Sequence, residues 1–99
     1  MKWHKVSITR TPGERKEFKA VFTDKTGKSK TSRFGTSSNY VLNKGKTDKD
    51  RKNYISSHSV NENWKDPTTP GALSRWVLWG EHRSLQKNVE SFKRRFKLA

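Results

Sequence analysis

The stretch "NENWKDPTTPGALSRWVLWG", Asn61–Gly80, decides how this chain folds. It holds three of the 4 tryptophans and two of the 3 prolines in 99 residues otherwise dominated by lysine, serine and threonine. Thr69 is a residue type that caps helix N-termini, and Pro70 suits the first helical position because the N–H it lacks has no intrahelical partner there. Gly80 stands where a helix stops. The spacing predicts a short helix with Leu73, Trp76, Val77 and, at its end, Gly80 facing inward. "NWKDP" before it reads as an Asx-rich turn that swings Trp64 back onto the same core, with Asp66 placed to hold backbone amides near Thr68 and Thr69.

Upstream of this block the apolar residues recur at every second position. "WHKVSITR" sets Val6 and Ile8 on one face and Ser7 and Thr9 on the other, and "EFKAVFTD" sets Phe18, Ala20 and Phe22 against Lys19, Val21 and Thr23. "TPGE" and "DKTG", the latter ending in Gly27, are the turns. A third strand, "KSKTSRFG", has only Phe34 as a clear core anchor, and its lysines suit an edge strand whose open backbone they protect. Tyr40–Leu42 in "TSSNYVLNKGK" reads either as a fourth short strand or as a docked loop.

From Thr47 the period changes to about 3.6 residues. "TDKDRKNYISSH" predicts a polar helix with Thr47 or Asp48 as N-cap and Arg51, Tyr54, Ile55 and His58 along one side. "SLQKNVESFKRRFKL" starts at Ser84 and repeats Leu85, Val89, Phe92 and Phe96 as an amphipathic helix. The order predicts one α+β domain: a small three-stranded antiparallel sheet within residues 1–36 and about three helices within 47–96, packed on one face. So thin a sheet has few large residues, and the tryptophan-rich helix is expected to supply most of the filling.

Composition bounds the function. Leu, Ile, Val and Phe number only 18, which with a formal charge of +14 is a composition typical of disordered chains. The 11% aromatic content and the regular spacing argue instead for a folded domain. The absence of cysteine excludes disulfides and thiolate metal sites. No run approaches the roughly 20 apolar residues of a membrane span, and "MKWHKVSITRTPG" lacks the apolar stretch of a signal peptide, so a soluble intracellular protein is expected.

His4, His58 and His82 fall in different elements without zinc-type spacing, so no metal is expected. The carboxylates sit mostly beside cations or at helix starts. Asp48 with Asp50 could mimic a two-carboxylate metal site, but the start of a helix is where carboxylates complement the helix dipole. With no glycine-rich phosphate loop, nucleophile elbow or Cys/His pair, the expectation is a non-catalytic protein without a cofactor.

Lys and Arg outnumber Asp and Glu 23 to 9, and the excess is spread: seven in residues 1–36, two in 37–66 and five in 67–99. Such a surface repels itself unless a polyanion is near, and nucleic acid, double-stranded DNA ahead of RNA, is the expected partner. Candidate phosphate contacts are Lys19 and Arg33 on the sheet, Lys28 and Lys30 around the second hairpin, and Lys93, Arg94, Arg95 and Lys97 in "FKRRFK", with Lys5 on the sheet face and Lys25 at the hairpin nearby. Sequence leaves open whether these are one surface or two. Six to ten phosphate contacts would give a log–log salt slope of about −5 to −9. Trp3, Tyr40 and Trp79 are candidates for stacking on bases, whereas Trp64 and Trp76 are expected in the core. Arg75 is either a phosphate contact or the partner of Asp66 or Glu62. The same charges would also serve the alternative, a minor structural protein docking on acidic protein surfaces.

The strand "HKVSITR", then "SRFG", "DRKNYISSH", the block W-x-D-P-x-T-x-G-A-L-S-R-W-x-L-W and "SFKRRFK" resemble a family of small basic proteins encoded by the nucleocytoplasmic large DNA viruses of eukaryotes. The similarity runs over most of the chain. It carries no known activity or binding residue onto Trp64, Asp66, Arg75 or Trp76. It implies a context: a product made in a host cell, found in the virion or viral factory with the host nucleus as an alternative, acting on the viral genome or on acidic viral proteins.

Overall fold

In the computed structural model, which describes residues 2–60 and 62–99, the alternating segments form β1 (Trp3–Arg10), β2 (Phe18–Asp24) and β3 (Ser29–Phe34), an antiparallel sheet in the order β1-β2-β3. The cross-strand rows Val6–Phe22–Lys30, Ile8–Ala20–Ser32 and Arg10–Phe18–Phe34 share one face, and Ser7–Val21–Thr31 and Thr9–Lys19–Arg33 share the other. The first face carries the core, with Phe18, Ala20, Phe22 and Phe34 fully buried. Asp24 closes the β2–β3 turn by accepting hydrogen bonds from the Thr26 and Lys28 amides. β3 is an edge strand, as its lysines suggest.

Three helical segments follow: α1 (Asp48–His58), α2 (Pro70–Leu73), which runs on as a π-helical turn over Ser74–Leu78, and α3 (Leu85–Phe96). The fold is therefore α+β, a three-stranded sheet followed by helices. Thr47 caps α1 in a reciprocal box with Asp50, Thr69 caps α2 with Pro70 behind it, and Ser84 caps α3. Tyr40–Leu42 is a docked loop. Buried Asn39 holds it, accepting from the Val41 and Leu42 amides and donating to the Thr36 carbonyl at 2.6 Å.

The inward face of the tryptophan segment differs from the one that a 3.6 period predicts. The Trp79 N–H donates to the Ser74 carbonyl, five residues back, at 2.9 Å. This wider turn changes which side chains point down onto the sheet. Leu73, Val77, Leu78 and Trp79 are buried, while Trp76 is only half-buried. Trp64 is half-buried too and meets Trp76 edge-on at 6.4 Å, outside the core cluster, so the filling comes from one tryptophan and three aliphatic residues of this segment. The Asx turn forms as expected at Thr68, whose amide and hydroxyl donate to the Asp66 carboxylate; the Thr69 amide donates instead to the Asp66 main-chain carbonyl.

Two tight fits lock this segment in place. Gly35 has φ +84°, and a Cβ there would lie 2.5 Å from Leu78 Cδ1 and 3.2 Å from Phe18, so only glycine admits the Leu78 side chain. Asn88, fully buried on α3, donates to the Val77 and His82 carbonyls and accepts from the His82 amide. That one side chain satisfies backbone groups left open at the end of the π turn.

α1 buries no residue. It is held by its predicted seam: Arg51 Nε donates to the Trp79 and Gly80 carbonyls, and Tyr54 stacks between His58 (4.1 Å) and Trp79 (4.3 Å). After α3, the Ala99 amide and carbonyl pair with His4 and Val6 on the outer edge of β1. Among the described residues no helix is long and apolar enough to cross a membrane.

Two measurements probe this packing. Gly35→Ala is expected to cost about 3 kcal/mol in urea denaturation, backbone strain plus overpacking. Gly13→Ala, with φ +83° but open space around the new Cβ, should cost only about 1 kcal/mol, the conformational part. Equal losses would disprove the Leu78 contact as the source. Burial, reinforced by the Glu62 charge, pushes the Tyr54 hydroxyl from its ordinary value of 10.0 up to about 12. Its stabilising contribution is full below pH 10.0 and lost as pH rises through about 12. Tyr54→Phe, which keeps the ring stack, should therefore flatten the alkaline fall in the urea midpoint across that window.

Candidate nucleic-acid interface

The face of the sheet away from the core is uncovered. It presents Ser7, Thr9, Ser29, Thr31 and Arg33 exposed and Lys19, Val21 and Thr23 half-buried, so hydroxyls and cations outnumber the one aliphatic side chain. Lys19 and Arg33 are directly opposed across β2 and β3. Arg33 rests on Glu14 at 3.3 Å, a half-exposed pair that contributes little to stability and yields readily to a stronger anion. Lys5 lies at the far end of the same face, opposite Thr23.

The eight candidate cations do not form one set. Lys93 lines a groove of about 320 Å³ with Lys5, Ser7, Val21, Thr23 and Ala99, which carries the sheet face onto α3. Here the sheet and helix patches meet. Lys28 sits at the exposed tip of the β2–β3 turn, and Arg94 is exposed on α3. Lys30 is exposed beside the same hairpin, and its register sets it on the core-bearing face next to Phe22, where its ammonium reaches the Thr68 hydroxyl at 3.2 Å. Arg95 also turns away. Two positions from Lys93, it lies about 200° around the helix, and its guanidinium stacks on Trp76 at 3.8 Å.

Lys97 ends α3 in the left-handed conformation, φ 55°, with its amide on the Arg94 carbonyl and that of Leu98 on the Lys93 carbonyl. This reversal leads the chain back to β1 and leaves the Lys97 side chain exposed.

The aromatic candidates are corrected as well. Trp79 and Tyr40 are 8% and 7% exposed and already stacked, on Tyr54 and under the Arg83 guanidinium, so neither is available to a base. Trp3 is half-buried against Phe22. Arg75 pairs with neither Asp66 nor Glu62. It lies over Trp76 at 4.2 Å and Trp64 at 5.3 Å and donates to the Trp79 carbonyl. Burial, then the neighbouring Arg51 and Arg95 charges, hold its guanidinium below the ordinary arginine pKa. Glu62 instead accepts from the Trp64 indole at 2.7 Å, lies 3.1 Å from His58 Nδ1 and packs onto Gly71.

Among the described residues no group of three or more His, Asp or Glu side chains comes together to hold a metal ion. Comparison with protein-family models, with curated proteins and with solved structures finds no match to this chain.

Because left-handed backbone is easy for glycine and hard for β-branched residues, Lys97→Gly should exceed Lys97→Val in thermal stability by about 1–2 kcal/mol. Equal melting of the two variants would mean that the left-handed turn is absent in solution.

Proposed function

We propose that the protein is a non-catalytic nucleic-acid-binding protein that engages double-stranded DNA through phosphate contacts with little sequence preference. One observation carries this reading: the sheet face opposite the core is bare, and it bears cations and hydroxyls continuous with the Lys5–Lys93 groove. A sheet braced from behind by helices can enter a major groove by such a face, with its cations on the flanking phosphates. The surface carries few side chains of the bidentate type that reads base edges, which supports tolerance of sequence. Lys5, Lys19, Arg33 and Lys93 are the principal contacts in this reading, and Lys28, Arg94 and Lys97 extend them. Neutralising or packaging a viral genome is the role that the sequence resemblance adds.

The test is a salt titration of duplex binding, run beside single-stranded DNA, RNA and heparin. Lys5→Ala with Lys19→Ala should lower the log–log salt slope by about two for every duplex sequence. Lys52→Ala, on the exposed side of α1, should leave it unchanged. An unaltered slope in the double variant would sink the sheet-face assignment. A defined 1:1 complex with an acidic protein, without loading proportional to DNA length, would favour the structural alternative instead.

A further inference from the structure

Away from the sheet face, α2, its π turn and α3 enclose a second feature rich in arginine. Arg75, Trp76, Gly80, Glu81, Ser91 and Arg95 line a cleft of about 220 Å³. Both guanidiniums lie over the Trp76 ring, at 4.2 and 3.8 Å. Stacking on an indole face occupies the flat side of a guanidinium and leaves its in-plane N–H donors free, the arrangement in which arginine grips a tetrahedral anion. Arg75 spends one donor on the Trp79 carbonyl, while its buried Nε has no acceptor. Arg95 is in no ion pair among the described residues. The charged side chains lining this space are Arg75, Arg95 and a single carboxylate, Glu81, with the Arg51 charge close enough to act on Arg75.

We infer that this cleft is a phosphate-binding site, built from Arg75 and Arg95 on the Trp76 platform, for a phosphate monoester or inorganic phosphate. Its volume falls below the roughly 300 Å³ at which pockets begin to hold drug-sized ligands, which suits a small anion. A dianion gains more than a carboxylate does from two cations lining one cleft. The surrounding π turn is a feature often found at binding sites. The site stands independently of the sheet-face reading, because inorganic phosphate probes it without any duplex.

The experiment titrates inorganic phosphate into the protein at constant ionic strength, against chloride, following the Arg75 Nε–H NMR signal and tryptophan fluorescence. Saturable movement of that signal is expected. Arg95→Gln, at an exposed position, should weaken binding about tenfold, the loss of one charge-assisted contact, and Glu81→Gln should strengthen it several-fold. A parallel arm compares a duplex bearing 5′-phosphates with the same duplex bearing 5′-hydroxyls. Tighter binding of the first, lost in Arg95→Gln, identifies a nucleic-acid terminus as the source. Phosphate binding with equal duplex affinities identifies the free anion. No phosphate-specific movement of the Arg75 signal, or equal affinity in all three proteins, overturns the site.

Discussion

The seating of Leu78 on Gly35 is the contact on which the rest of the architecture depends. A three-stranded sheet exposes as much backbone as it protects, and this one has only a row of phenylalanines to offer a second layer. The missing Cβ at Gly35 lets the tryptophan-rich segment descend onto that row. Once it does, the helical layer is committed to one side, and the opposite side is left without cover. The open face is thus a consequence of where the core could be built.

A second constraint is charge. The chain folds with few aliphatic residues partly because several arginines serve structure rather than surface. Arg51 and Arg75 both donate to the Trp79 carbonyl at the end of the π turn, where exposed carbonyls and the helix dipole favour a cation. Arg83 lies over Tyr40 and donates to the carbonyls of Tyr40 and Lys46, tying the loop before α1 to the loop before α3. The planar groups of Arg75 and Arg83 cover aromatic faces while their edges satisfy backbone, two tasks that an ammonium cannot combine. Lysines are left mainly to the exterior, where they define the candidate interface.

Much of this was legible in the sequence. Strand faces followed from strict alternation, the helix starts from Thr47, Thr69–Pro70 and Ser84, and the α1 seam from the spacing of Arg51, Tyr54 and His58. The inward set of the tryptophan segment was not, because a helical wheel presumes i→i+4 bonding and nothing in "SRWVLW" announces the wider turn. Hence Trp76 and Trp79 exchanged places, one expected inside and found at the rim, the other the reverse. The contact of Lys30 with Thr68 was not legible either, because it joins residues 38 positions apart. Asn88 escaped notice because a polar residue three positions after Leu85 breaks the apolar pattern while sitting on the same stripe. The meeting of Lys5 with Lys93 is a tertiary fact, set by the reversal at Lys97.

The attachment of α1 has a further consequence. With no buried residue of its own, this helix is joined to the body by a column of rings, one forked guanidinium and the Tyr40 hydroxyl on Asp48, so the free energy that keeps it docked is smaller than that of global unfolding. Its amides would exchange with solvent through partial opening while the β-strands stay protected. Trp79, relieved of its Tyr54 lid, would then be uncovered without global unfolding, which makes the indole a native optical reporter of that motion.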